Sequence, residues 1–281
     1  MHPISFSRKS YRRWIYPILS VFVATSIWLT SLPATQAISL PELIFHGVRI
    51  LQLSTLSDRQ EVDIGQQINQ QMVGKEFKLY RNPRLKRYIN DIGQRLAAAS
   101  DRPDIPYTFQ VVDSDQVNAF ATMGGFVYVN TGLILAADNE AELASVIAHE
   151  IAHIAAQHAV KQMREMAIAQ GLASAAGVDQ NIAVRIGVEL ALRRPHSREA
   201  EYEADLLGMR TMAKAGYAPQ ATIDFLTKLM QKGSPPTFLS THPATRDRIS
   251  TLEELLDPRL AEQEGGMNDA AYRQLVQQLM S

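Results

Sequence analysis

Val146-Ile147-Ala148-His149-Glu150-Ile151-Ala152-His153 is the stretch on which the reading of this chain turns. It carries the pattern HExxH inside a segment with helical periodicity. On a helix, residues four apart lie about 40° apart around the axis, so His149 and His153 share a face. Two imidazoles so placed can grip a zinc ion, and Glu150 between them can take a proton from an attacking water. The flanks agree with a helix. Asn139 is suited to be its N-cap, with Glu142 three residues on as a capping box. Leu143, Ile147, Ile151 and Ile154 then recur as a stripe for burial. His158 extends the pattern, but nine residues of straight helix is about 900°, which turns it to the opposite side from His149. It is expected at the surface or behind a ligand.

A third ligand must come from elsewhere. Ser197-Arg198-Glu199-Ala200-Glu201-Tyr202-Glu203-Ala204-Asp205 reads as a second helix, with Ser197 as N-cap after Pro195. Glu199, Glu201 and Glu203 compete for the role. Glu201 has a second carboxylate, Asp205, four residues further on the same face, whereas Glu203 has Leu207 there and Glu199 lies in the first turn with Glu203 after it. One of the two can bind metal while the other orients a histidine ligand.

HExxH followed by Ser-Arg-x-x-Glu-x-Glu-Ala-Asp-x-x-Gly resembles the gluzincin zinc metallopeptidases of the HtpX and CAAX-prenyl-protease family. Two further stretches resemble it as well. One is Asn118-Ala119-Phe120-Ala121 with Gly124-Gly125 and Val127-Tyr128-Val129-Asn130-Thr131-Gly132-Leu133. The other is Ser240-Thr241-His242-Pro243 with Arg248-Ile249. The resemblance runs from about Ser57 to Leu256. Met123 departs from it, standing where relatives often carry proline before the glycine pair, and so do the missing multiple membrane spans. The resemblance implies one zinc per chain held by His149, His153 and Glu201, with Asp205 and Arg248 supporting the ligands. It also implies a catalytic role for His242, either stabilising the oxyanion opposite Glu150 or capping the zinc at rest as a fourth ligand.

Composition is compatible with such an enzyme. The 281 residues are 46% hydrophobic and 20% charged, ordinary globular usage. The absence of cysteine excludes disulfides, thiol nucleophiles and Cys–zinc sites. The net charge of −1 gives no basis for nucleic-acid binding. It conceals an asymmetry, because Arg8, Lys9, Arg12 and Arg13 are the only charged side chains before Glu42. An apolar run from Ile15 to Leu32 follows, then Pro33-Ala34-Thr35-Gln36-Ala37 with small residues suited to cleavage before Ile38. Residues 1–37 therefore read as a signal peptide, or a retained anchor. Either sends the catalytic part out of the cytoplasm, to the periplasm or another extracytoplasmic compartment.

Residues 38–56 contain an amphipathic helix, Ile44 to Leu56, able to contact a membrane surface. The zinc metallopeptidase domain spans 57–256 and a helical tail 257–281. Asp58 to Met72 and Pro83 to Ala99 are expected helices, the second capped by Asn82. Tyr107 to Val112, Ala119 to Ala121 and Phe126 to Asn130 form a small sheet with a hairpin at Gly124-Gly125. Helices follow from Asn139, broken near Gly177, Pro195, Gly216 and Ser234. The Ala/Gly-rich stretch from Ile168 to Val178 is too short to cross a membrane and reads as part of a helical hairpin near the site.

The fold expected is α+β and mostly helical, a minimal gluzincin core with the HExxH helix packed on the sheet. The function expected is cleavage of unfolded or misfolded polypeptides in the cell envelope. Phe126, Val127, Tyr128, Val129 and Asn130 are expected to form an edge strand onto which substrate adds by main-chain hydrogen bonds.

Overall fold

A computed structural model describes residues 50–280 except 54, 173–176, 194, 232–236, 244 and 245. The expected leader, residues 1–37, lies outside the described residues, as does the expected amphipathic helix up to residue 49. The described elements in chain order begin with strand β1 (Ile50–Leu51), helices α1 (Asp58–Met72) and α2 (Pro83–Ala99), and strands β2 (Thr108–Val112) and β3 (Ala119–Thr122). A 3-10 turn at Met123–Gly125 leads to β4 (Phe126–Asn130), followed by α3 (Thr131–Ala136), α4 (Glu140–Ala155), α5 (His158–Ala169) and β5 (Val178–Asp179). The remainder is helical: α6 (Gln180–Arg193), α7 (Arg198–Lys214), α8 (Gln220–Gln231), α9 (Thr237–Thr241), α10 (Arg246–Leu255), α11 (Pro258–Ala261) and α12 (Asp269–Met280). The architecture is α+β and mostly helical, as expected.

Local signals in the sequence explain most boundaries. Ser57 and Gln60 close a reciprocal capping box on α1. Asn82 accepts from the backbone amides of Arg84 and Leu85, with Pro83 at the first helical position. Asn139 accepts from the amide of Glu142 as a capping box requires, but the Glu142 carboxylate returns the bond to Asp138 instead. There it is also held by the Lys228 ammonium.

The three-stranded sheet has the order β2-β4-β3, with β4 parallel to β2 and antiparallel to β3. This corrects the expectation that Phe126–Asn130 is an edge strand. It is the central strand, paired on both sides, and all five of its residues are buried. Its alternating side chains divide the interior. Val127 and Val129 enter a core built with α2, α4, α7, α8 and α12, while Phe126 and Tyr128 enter a second core with α1, α5 and α6. A strand covered on both faces reads as a continuous apolar run, which is what Phe-Val-Tyr-Val is. β3 has a strand partner on one side only among the described residues, and it packs against α4.

Two further departures concern the ends. Ile50–Leu51, within the stretch expected to be helical, instead pairs as a strand with Val178–Asp179. A two-residue strand leaves almost no periodic signal to read. The tail beyond residue 256 is helical as expected, but α12 is part of the main core. Tyr272, Val276 and Leu279 are buried, and the Tyr272 hydroxyl donates to the carbonyl of Ile134 across 2.7 Å. No helix among the described residues is long and apolar enough to cross a membrane.

Candidate active site

Helix α4 is buried along its whole inner length, from Ala141 to Ile154, because it lies between the sheet and α7. Close approach to α7 depends on Gly208, where an added Cβ would lie 3.2 Å from the His149 amide nitrogen. That spacing brings Glu201 and Asp205 of α7 against His149 and His153 of α4. The loop after α9 adds His242, whose amide donates to the Phe238 carbonyl and whose ring stacks on Phe238 at 4.7 Å.

His149, His153, Glu201 and His242 converge, each offering a donor atom within 4.8 Å of the others, and all four are buried. His149 Nε2 lies 3.0 Å from His153 Nε2 and 3.3 Å from His242 Nδ1. Glu201 Oε1 lies 3.1 Å from His242 Nδ1 and 3.4 Å from His153 Nε2. Donors about 2.0–2.1 Å from a tetrahedral zinc stand roughly 3.3 Å apart. The separations match, and three imidazoles with one carboxylate is a donor set that zinc takes. The residues present therefore fit the metal. Glu150 stands beside the group, fully buried, with Oε1 3.4 Å from His242 Nε2 and neither oxygen in a well-formed hydrogen bond.

Electrostatics separates the members of the cluster. Burial raises the Glu150 carboxyl above its ordinary value, tempered by the nearby charges of His242 and His149. Burial also drives the His153 imidazole well down, reinforced by His196, so it stands as a neutral donor. For His149 burial works in the same downward direction but is outweighed by Asp205 and Glu201, which lift it to about 10 in the metal-free protein. Burial would raise Glu201, yet His242, His149 and His153 together hold it far below the usual carboxylate range.

The candidate ligands are themselves held. Asp205 Oδ1 lies 3.0 Å from His149 Nδ1. Arg248, almost wholly buried, donates to both Asp205 oxygens at 2.8 Å and to the Pro243 carbonyl at 2.9 Å, and its Nη1 is 2.8 Å from Glu201 Oε2. One guanidinium thus ties the carboxylates of α7 to the loop that carries His242.

The chain belongs to Peptidase family M48. The family's model matches residues 83–256. M48 enzymes are zinc metallopeptidases, and the four-donor group is where this member brings suitable ligands together. The chain is 32% identical over 214 residues to the beta-barrel assembly-enhancing protease of Escherichia coli K12, covering 70% of this chain and 44% of the relative. It is 34% identical over 218 residues to the protein of the same name from Yersinia pestis, again 70% and 44%. The mitochondrial metalloendopeptidase OMA1 of Schizosaccharomyces pombe is 29% identical over 176 residues, 60% of this chain and 52% of that one. The chain spans less than half the length of these bacterial relatives.

Every expected M48 site residue on α4, α7 and the loop after α9 lies in this one place. Phe126–Asn130 does not form an edge of the sheet; Ala119–Thr122 of β3 is one of its two outer strands among the described residues. Two further histidines border the group. His196 stacks on His153 with ring centres 4.0 Å apart, and its amide donates to the Thr241 carbonyl at 3.2 Å. Burial and then the charge of His242 push its imidazole down to about 3. The only hint of it is position, directly before the Ser197 cap. His158 is buried against His153, one of the two outcomes expected for it.

Proposed function

We propose that this chain is an exported zinc endopeptidase that cleaves unfolded or misfolded polypeptides in the cell envelope. His149, His153 and Glu201 hold the metal, Glu150 is the general base, and His242 caps the site at rest. When bound, the zinc supplies Lewis acidity, polarising the scissile carbonyl and acidifying the attacking water. Glu150 accepts the proton of that water and delivers it to the leaving amine. Its raised pKa favours both halves of that task.

The observation that carries the reading is the position of His242. Its Nδ1 is within the donor group while its Nε2 reaches towards Glu150. The ring therefore occupies the space between base and metal donors that water and substrate need. Swung outwards with its loop, the same imidazole can donate to a developing oxyanion.

An extended substrate can pair with the outer edge of β3, whose Ala121 backbone is close to Glu150. Main-chain pairing is indifferent to sequence, which suits unfolded chains. Export rests on the basic start and apolar run of residues 1–37. The names of the bacterial relatives, which refer to β-barrel assembly, support an envelope setting, periplasmic or otherwise extracytoplasmic.

An internally quenched peptide blocked at both ends tests the endopeptidase reading with the full chain. Zinc-dependent cleavage that a chelator abolishes is expected. Hydrolysis confined to peptides with a free terminus would replace the reading with an exopeptidase.

A further inference from the structure

We propose that His158 and Glu203 are positioning residues for the zinc site, with Glu203 fixing His158 and His158 fixing the tautomer and orientation of His153. The inference rests on His153 being a zinc ligand.

The backbone makes the contact possible. On a continuous helix His158 would turn away from the ligand face. Instead α4 ends at Ala155, and Gln157 adopts φ +56°, the one non-glycine residue with positive φ among the described residues. α5 then begins at His158. The reversal brings the His158 ring back against the imidazole five residues before it, with Nδ1 2.8 Å from His153 Nδ1. A left-handed conformation is uncommon for glutamine, and here it places a specific side chain.

Hydrogen-bond chemistry then fixes every proton in the line. Two imidazole nitrogens 2.8 Å apart must be one donor and one acceptor. If His153 gives its Nε2 lone pair to zinc, its Nδ1 carries the hydrogen and donates. His158 Nδ1 must accept, so the His158 hydrogen is on Nε2. That atom faces Glu203 Oε2 at 3.1 Å, a carboxylate oxygen placed to accept the hydrogen. With His158 neutral, the order Glu203–His158–His153 leaves the lone pair of His153 on Nε2, the nitrogen that points into the donor group.

The two histidine ligands are thus supported differently. His149 rests on Asp205, buried and clamped by Arg248. His153 rests on a neutral imidazole whose carboxylate, about half exposed, has Lys161 Nζ as its other neighbour at 3.9 Å. Glu203, one of three glutamates that could have claimed the metal from sequence, serves the ligand behind it instead.

Zinc affinity of the full chain, measured by competition with a fluorescent chelator, tests this. His158→Ala should weaken binding about 10–100-fold. His158→Gln, whose Oε1 can accept from His153 Nδ1, should recover most of that loss. Glu203→Gln, which keeps an acceptor but not the charge, should lie between wild type and His158→Ala. Cobalt-substituted wild-type and His158→Ala proteins should differ in their visible ligand-field bands. Affinity unchanged in His158→Ala would overturn the proposal. So would equal weakening in the Ala and Gln variants together with equal loss of metal-free stability, the signature of packing alone. His153→Ala is the separate control: if it binds zinc as tightly as wild type, the ligand reading fails and this proposal goes with it.

Discussion

His149 Nδ1 donates to Asp205 Oδ1 across 3.0 Å, so the first histidine of HExxH is oriented by a carboxylate four residues beyond Glu201. Asp205 also carries both bonds from Arg248. Replacing it by alanine orphans one buried imidazole nitrogen and removes two charge-assisted bonds from a buried guanidinium. Removing one member of a buried ion pair costs about 3–5 kcal/mol. Because Arg248 keeps Glu201, the lower end of that range is expected for Asp205→Ala. Chemical denaturation of the metal-free protein measures it, and a loss under about 1 kcal/mol would place the pair among those of little net worth.

Zinc binding should release a proton from His149. Its metal-free pKa is raised from the ordinary 6.5 to about 10, so the protonated ring stabilises the folded state. That contribution is complete below about 6.5 and is lost as pH rises through about 10. Zinc competes with the same proton, so affinity should tighten with pH up to about 10 and then level off. Calorimetry at pH 7.5–8 in two buffers of different ionisation enthalpy should show an offset matching a released proton. Identical apparent enthalpies would contradict it.

His242→Ala should raise basal cleavage of an unfolded substrate while zinc stays bound through the other three donors. The expected gain is several-fold, the opening of the capped site outweighing loss of an oxyanion donor. Steady-state kinetics with casein reads it directly. A fall of 10²-fold or more, the scale of losing one oxyanion-hole donor, would assign His242 to catalysis alone.

Gly208→Val tests how closely α4 and α7 must approach. Its Cβ would crowd the His149 amide and its branches would meet the backbone beyond. Overpacking of this kind costs about 1–3 kcal/mol. A shift in denaturation midpoint of that size, with weakened zinc binding, is expected; a stability equal to wild type would mean that the helices separate freely.

The helix caps and the candidate metal donors on α4 and α7 are legible because each is a local pattern: Asn82 before Pro83, Asn139 before Glu142, and paired residues at spacing four. What failed to show depends on tertiary partners. Phe126–Asn130 is central and not an edge, and the available sign of that in the sequence is its unbroken apolar run, covered on both faces. The turn at Gln157 has no glycine to announce it, so a straight-helix projection hid the return of His158 to His153. His196 reaches His153 only through the packing of α7 on α4. Arg248 came from the motif after His242, but its grip on Asp205, Glu201 and Pro243 is visible only in three dimensions.

The most direct measurement is cleavage of casein by the zinc-loaded full chain beside Glu150→Gln at equal zinc content. Glutamine keeps the size of the side chain and removes its capacity to accept the proton. Cleavage by the wild type with little or none by the variant is the predicted result. Equal cleavage by both would contradict Glu150 as the base, and with it the account of this site.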